Sequence, residues 1–263
     1  MDNIVSFSGG KDSTAMLHLM IEKNIRIDEV IFFDTGWEFP QMIEHINHVE
    51  RKTGITITRL KPEKPFSYWM FEREIIARKG PMKGKVHRIG NGWPSPMRRW
   101  CTRQKIAEID RYLKQFGNKF TFFIGYAYDE MERQFRIKSG KYKRRFPLIE
   151  MGITEADALK ICIDHGFHWG GLYNYFSRVS CFCCPLQKLG DLRTLRKHFP
   201  DLWEKMMEWD SAIQETSGHN RGFRDYDTVH DLDLRFSAED RQDVKQYKLD
   251  QIVDYEENRS LKK

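Results

Sequence analysis

The stretch Ile4-Val5-Ser6-Phe7-Ser8-Gly9-Gly10-Lys11-Asp12-Ser13-Thr14-Ala15-Met16-Leu17-His18-Leu19-Met20 decides how the rest of the chain is read. Ile4 to Phe7 has the length and apolar character of a buried strand. Residues 14–20 place apolar side chains at helical spacing, with Asp12 or Ser13 positioned to cap the helix. Strand, glycine turn and helix N-terminus together form an anion-binding turn. The glycines let the backbone approach a ligand, and the free N–H groups of the first helical turn face it. The spacing is not that of a Walker A loop, because no glycine lies five residues before a Gly-Lys-Ser/Thr. Nor is it the dinucleotide fingerprint Gly-x-Gly-x-x-Gly.

Working outward, Glu29-Val30-Ile31-Phe32-Phe33 reads as a second strand, ending at Asp34-Thr35-Gly36-Trp37-Glu38-Phe39-Pro40. Residues 41–52 carry Met42, Ile43, Ile46 and Val49 on one helical face, and 56–60 reads as a third strand. Such a βαβαβ opening predicts a doubly wound parallel sheet. Residues 78–97, mixed in Gly, Pro and basic side chains, read as a long loop. A helix from Thr102, with Ile106, Ile109, Leu113 and Phe116 in a stripe, stops at Gly117-Asn118, and 120–125 reads as a fourth strand. Thr154-Glu155-Ala156-Asp157 has the pattern of a capping box. After Pro185 the chain reads as helical to its end, with irregular residues near 218–236. The expected organisation is a nucleotide-binding domain over 1–190 and a helical C-terminal region over 191–263.

The 263 residues suffice for one α/β domain with an appended helical region. With 40% hydrophobic and 31% charged residues, the chain reads as a soluble globular protein. No apolar run approaches a membrane span and the first residues do not read as a signal peptide, so a cytoplasmic location with no membrane partner is expected. In that compartment five cysteines suggest metal ligands or reactive thiols before disulfides. A net charge of +6 suits a polyanionic partner.

The segment Ser8-Gly9-Gly10-Lys11-Asp12-Ser13 closely resembles the PP-loop of the ATP pyrophosphatase superfamily. Three further segments, in order, resemble the phosphoadenosine phosphosulfate (PAPS) reductase branch of it. They are Asp34-Thr35-Gly36-Trp37-Glu38-Phe39-Pro40, Gly125-Tyr126-Ala127-Tyr128-Asp129-Glu130-Met131-Glu132-Arg133, and Phe146-Pro147-Leu148-Ile149. Ala127 stands where that family commonly has arginine. The resemblance spans about residues 3 to 190. It implies an α/β, adenine nucleotide α-hydrolase-like fold that cleaves ATP between its α and β phosphates. It also implies a nucleotide site at Ser8, Gly9, Gly10, Lys11, Asp12, Ser13, Asp34, Thr35, Gly36, Gly125 and Arg133. Lys11 would neutralise charge as pyrophosphate leaves, and Asp12 would organise Mg²⁺ or cap the helix. Asp34 has a plainer reading, since an aspartate at a strand end often only makes a turn.

Cys181 and Cys184 form a Cys-x-x-Cys pair before Pro185, and Cys101 follows Arg98-Arg99-Trp100 at a helix start. A Cys-x-x-Cys pair alone is ambiguous among redox, zinc and iron–sulfur roles. The pattern with Cys101 resembles sulfur-transfer and reductase proteins that carry a [4Fe–4S] cluster, with zinc as the alternative. Cys183 would be a fourth ligand, or three thiolates would leave one iron open. Cys162, between Ile161 and Ile163, reads as a buried small hydrophobe. PAPS reductases use a C-terminal cysteine nucleophile, and no cysteine follows Cys184.

Residues 133–145 hold seven basic side chains and no acid, with Phe135 and Tyr142 among them. Phosphate contact with aromatic stacking explains such a run, as does a solvated loop. Lys143, Arg144 and Arg145 are the candidate nucleic-acid contacts. The sequence thus predicts an ATP- and Mg²⁺-dependent sulfur-transfer enzyme acting on DNA or tRNA, with sulfur from a cysteine desulfurase or other donor. The DNA phosphorothioation and tRNA thiolation branches are the expected settings. A PAPS or adenylylsulfate reductase and a non-catalytic nucleotide- or nucleic-acid-binding module are the alternatives.

Overall fold

The computed structural model describes residues 1–117, 119–136, 142–217, 222–224 and 227–242. The expectations for Asn118, for 137–141 of the basic segment and for 218–221, 225–226 and 243–263 of the tail lie outside the described residues. In chain order the first elements are β1 (Asp2–Ser6), α1 (Lys11–Glu22), β2 (Glu29–Phe33), α2 (Pro40–Thr53), β3 (Thr58–Leu60), β4 (Glu74–Ile76) and β5 (Val86–Ile89). There follow α3 (Trp100–Leu113), β6 (Phe120–Ile124), β7 (Lys143–Arg145), α4 (Pro147–Glu150), α5 (Glu155–Asp164), α6 (Leu189–His198) and α7 (Pro200–Ser217). Two compact units result: Met1–Glu72 with Met97–Cys184, and Arg73–Pro96 with Pro185–Lys263.

The first unit is a five-stranded sheet in the order β3-β2-β1-β6-β7. Every neighbouring pair is parallel, with Ile4 opposite Phe122 on one side and Val5 opposite Val30 on the other. The chain winds outward in both directions from β1, as the sequence predicts. That reversal opens a crevice at the strand C-termini, where open α/β sheets bind ligands. Ile4, Ile31, Leu113, Phe120 and Phe122 form one buried cluster. Helix α1 contributes Ala15, Met16, Leu17 and Met20, all fully buried. Each such large side chain adds roughly 1.5–3 kcal/mol from removal of its apolar surface from water.

Helix ends follow local chemistry. Pro40 opens α2, and Gly54, at φ 70°, closes it after Arg51 and Lys52. The capping box expected at Thr154 forms: its hydroxyl accepts from the Asp157 N–H at 3.2 Å, and Asp157 accepts from the Thr154 N–H at 3.0 Å. The expected cap of α1 does not. Gly10, in an extended conformation, is the N-cap with no side-chain bond, and Asp12 and Ser13 lie inside the first turn. Ser13 Oγ instead donates to the Gly10 carbonyl at 3.0 Å and accepts the Ser8 N–H at 3.1 Å.

In the second unit, β4 and β5 form an antiparallel pair with a register shift between Ile75 and Ile76. Half of the region expected as a loop is therefore hairpin. Its pairing is backbone-driven: Ile76, Val86 and Ile89 are exposed, so no alternation betrays the strands. Residues 229–242 are helical, correcting the irregular stretch expected through 236. Their start carries a second capping box, with the Thr228 N–H donating to Asp231 Oδ2 at 2.9 Å and the Asp231 N–H donating to Thr228 Oγ1 at 3.0 Å. The buried Asp210 accepts from Trp93 Nε1 at 2.7 Å, the Val229 N–H at 3.0 Å and Gln214 Nε2 at 3.1 Å. Those bonds offset the cost of burying a carboxylate. No helix among the described residues is long and apolar enough to cross a membrane.

Candidate active site

Within the first unit a cavity of about 450 Å³ opens at the ends of β1, β2 and β6. Its floor is the turn from Ser8 to Ser13. Gly9 takes φ 78°, and a Cβ there would lie 2.6 Å from Met42 Sδ, so only glycine fits. Its carbonyl accepts from Trp169 Nε1 at 2.6 Å, which fixes the turn from below. Gly125, just past β6, is equally constrained: a Cβ would come within 3.0 Å of Ser13 Cα and 3.1 Å of the Asp12 carbonyl. The first-turn N–H groups of α1 have no intrahelical partners by construction. That of Lys11 donates to Tyr173 Oη at 2.8 Å.

Lys11 is buried, and its Nζ lies 2.7 Å from Glu155 Oε2 and 3.6 Å from Asp12 Oδ1. Carboxylate oxygens of Asp12, Glu130 and Glu155 lie within 4.8 Å of one another. Burial, with Glu155 and Glu130 adding to it, pushes the Asp12 carboxyl up to about 6 despite Lys11. Asp12 Oδ1 is buried and has no hydrogen-bond partner among the described residues. An orphaned carboxylate oxygen beside two more acids is a donor set that suits a hard divalent cation such as Mg²⁺.

Three cysteines share the same cavity: Cys101, in the first turn of α3, and Cys181 and Cys184. The loop carrying the pair is tied to the segment after β2. The Phe182 N–H donates to the Trp37 carbonyl at 3.0 Å, and Thr35 Oγ1 lies 3.4 Å from Cys181 Sγ. Thr35 Oγ1 also donates to Glu38 Oε1 at 2.7 Å, and burial raises the Glu38 carboxyl. Burial pushes Cys181 up to about 12, raises Cys101, and raises Cys183 well above the ordinary thiol range. Such thiols stay protonated unless a metal takes the proton's place. By donor type the three thiols suit a thiophilic metal centre, although the groups of ligand atoms that lie within 4.8 Å of one another among the described residues do not include them.

Of the residues singled out in the sequence, Ser8, Gly10, Lys11, Asp12, Ser13, Thr35, Gly125, Arg133, Cys101, Cys181 and Cys184 line the cavity. Gly9 supports it from beneath. Asp34 and Gly36 do not line it: Asp34 accepts the Gly36 N–H at 2.9 Å, the turn of its plainer reading, and lies 3.7 Å from Lys61. Cys183 is buried away from the lining. Cys162 is the buried hydrophobe expected, its thiol 3.4 Å from the Lys11 carbonyl. Lys143, Arg144 and Arg145 form β7 at the sheet edge, outside the lining. Arg145 pairs with Glu150, and Arg144 lies over the Tyr142 ring at 4.7 Å. Sequence reasoning missed Tyr173 and Trp169, which carry no motif, and Glu155 as the partner of Lys11, although its capping box was visible.

Fold and site together define a nucleotide-binding α/β protein with a PP-loop at the sheet's switch point. The chain belongs to the phosphoadenosine phosphosulfate reductase family, whose domain matches residues 2–187. A protein of Methanocaldococcus jannaschii is 27% identical over 242 residues, covering 83% of this chain and 43% of its own length. A nin region protein of Escherichia phage lambda is 32% identical over 146 residues, covering 51% of this chain and 50% of its own. The chain thus spans half or less of the length of these relatives. Among solved structures, the U34-tRNA thiolase NcsA of Methanococcus maripaludis, with its [4Fe-4S] cluster, aligns over 82% of this chain and 74% of its own at 16% identity and TM-score 0.42. A PAPS reductase of Candida auris aligns over 66% and 77% at 16% identity and TM-score 0.45.

Proposed function

We propose that this chain is an ATP pyrophosphatase-type sulfurtransferase that adenylates an oxygen of a nucleic-acid substrate, releases pyrophosphate, and exchanges AMP for sulfur. The observation that carries the reading is the shared cavity, lined both by Lys11, Asp12 and Glu155 and by Cys101, Cys181 and Cys184. The family supports nucleotide chemistry there.

The PP-loop backbone and α1 N-terminus would hold the phosphates of ATP. Lys11 would leave Glu155 to follow the negative charge that develops on the departing pyrophosphate, a stabilisation typically worth two to three orders of magnitude in rate. Asp12, Glu130 and Glu155 would hold Mg²⁺. Arg133 and Lys105, both lining the cavity, would neutralise further phosphate charge. Cys101, Cys181 and Cys184 would hold a [4Fe–4S] cluster, with zinc as the alternative; a cluster so bound supplies a site from which sulfide is delivered. Thr35 would orient Cys181 through the 3.4 Å contact. The sulfur donor, a desulfurase or free sulfide, acts from outside the chain.

The test measures pyrophosphate and orthophosphate from ATP for wild type and for Lys11→Met, which keeps the apolar stem. Wild type is expected to release pyrophosphate with AMP, and Lys11→Met to lose at least a hundredfold in rate with its fold intact by circular dichroism. Orthophosphate as the only product overturns the reading, and so does an unaffected Lys11→Met. Sulfite release from PAPS without ATP turnover would instead assign a reductase.

A further inference from the structure

At the far end of the same two helices that begin at Lys11 and Glu155 lies a second cluster. His18 and Glu22 stand one turn apart on α1, and His165 is the residue that closes α5. Nε2 of His18 lies 3.2 Å from Glu22 Oε1, and Nε2 of His165 lies 3.4 Å from the same oxygen. All three atoms fall within 4.8 Å of one another. A tetrahedral zinc with bonds of about 2.0–2.1 Å holds its nitrogen and oxygen ligands about 3.3–3.4 Å apart. The contacts to Glu22 have that spacing.

The positions of the protons agree with this. Nδ1 of His165 lies 2.8 Å from the Ile161 carbonyl, and a carbonyl only accepts, so Nδ1 carries the proton. Nε2, the nitrogen left for a ligand, faces the Glu22 carboxylate oxygen at 3.4 Å. This is also how metal-bound histidines are held: the far nitrogen donates to a carbonyl and fixes the tautomer. Nε2 of His18 is buried and has no hydrogen-bond partner among the described residues, its approach to Glu22 lacking hydrogen-bond geometry. The His18 and His165 ring centroids lie 3.9 Å apart with the planes tilted by 51°, and Phe167 is edge-on to His18. Lys52, over the Phe167 ring, is the opposing charge nearby. The exposed Glu22 leaves the cluster open to ions from solvent.

We propose that His18, Glu22 and His165 form a zinc site, with solvent as fourth ligand, that clamps the C-terminal ends of α1 and α5. The clamp is separate from the cysteine wall, and it holds in register the two helices whose first residues make the Lys11–Glu155 pair. Imidazole and carboxylate donors select zinc among abundant divalent ions, whereas Mg²⁺ prefers oxygen alone.

The test titrates the purified protein with Co²⁺ as a spectroscopic substitute and with Zn²⁺ while following thermal unfolding. Cobalt on nitrogen and oxygen ligands gives visible d–d bands without the near-ultraviolet thiolate charge transfer that cobalt on Cys101, Cys181 and Cys184 would add. Wild type is expected to show a thiolate-free cobalt site and a Tm that rises with zinc. Glu22→Gln and His165→Gln are expected to weaken that site by more than the roughly 10–100-fold that even outer partners of a metal are worth. They should lose the zinc-dependent rise in Tm while keeping the metal-free Tm and any thiolate-type signal. Equal cobalt spectra and equal zinc stabilisation in wild type and both variants would overturn the proposal, as would a wild type with no thiolate-free cobalt site.

Discussion

Asp12 shows the tension of the site at the scale of one residue. Its side chain is 23% exposed and meets Lys11 at 3.6 Å, yet burial and two neighbouring acids win and its carboxyl rises to about 6 from 3.8. The folded state therefore binds this proton more tightly than the unfolded chain does. The resulting stability is fully present below about pH 3.8 and is lost as the pH rises through about 6. Above that, the ionised carboxylate costs on the order of 3 kcal/mol. Without added magnesium, Asp12→Asn is expected to raise Tm over wild type at pH 8, with the gain disappearing at pH 4. Thermal melts across that range test it. A gain independent of pH would trace to packing, and a loss at pH 8 would mean that the attraction of Lys11 outweighs burial. A gain confined to high pH would support the proposed role of Asp12 in chemistry, since it would show that the residue is not kept for stability.

At the scale of elements, the site depends on how closely the end of β6 approaches the start of α1. A Cβ at Gly125 would lie 3.0–3.1 Å from backbone atoms of Ser13 and Asp12, so that backbone would have to give by a few tenths of an ångström. Gly125→Ala is expected to cost roughly 1–3 kcal/mol, as overpacking does, and to weaken ATP binding by displacing the turn. Gly54→Ala is the contrasting control: it sits at φ 70°, which strains any other residue, but a Cβ there meets nothing within 4 Å. It should lower stability and leave ATP affinity alone. Denaturant melts and nucleotide titrations of both variants decide it, and unchanged ATP affinity in Gly125→Ala would free the PP-loop from β6. These elements were largely legible in the sequence because most of them carry a local signal: the apolar runs of β1, β2 and β6, the glycine turn, the capping box at Thr154; β7, three basic residues, carries none and was not read as a strand. Cys101, Cys181 and Cys184 could be grouped because a Cys-x-x-Cys pair with a third cysteine at a helix start is a pattern metal sites use. Tyr173, Trp169 and the pairing of Lys11 with Glu155 were not legible. They are contacts across 144 to 162 residues, made by the path of the chain rather than by any local pattern. The β4–β5 hairpin was invisible because its apolar residues face solvent instead of alternating.

At the scale of the whole molecule, the net charge of +6 and the basic run around β7 bear on what substrate is handled. The structure divides that run. Arg145 is engaged with Glu150, whose carboxyl it holds below the usual range, so its charge is partly spent inside the fold. Lys143 is exposed on the same edge strand, and the Arg144 guanidinium lies 4.7 Å from the centre of the Tyr142 ring, which itself stacks on Phe120, so the edge offers cations and not a free aromatic face. The double variant Lys143→Ala/Arg144→Ala is therefore expected to weaken binding to single-stranded DNA and to tRNA alike, because phosphate contacts position without reading sequence. The log–log slope of affinity against salt should become shallower by roughly one unit for each phosphate that is no longer neutralised. ATP affinity should be unchanged, since neither side chain lines the cavity. Arg145→Ala alone should act mainly through a small loss of stability. Salt titrations of wild type and both variants against labelled DNA and tRNA separate these outcomes. If affinities and slopes are equal, the strand is a solvated edge whose charges discourage pairing with another sheet, and the acceptor of sulfur is a small molecule that fits within the 450 Å³ of the cavity itself.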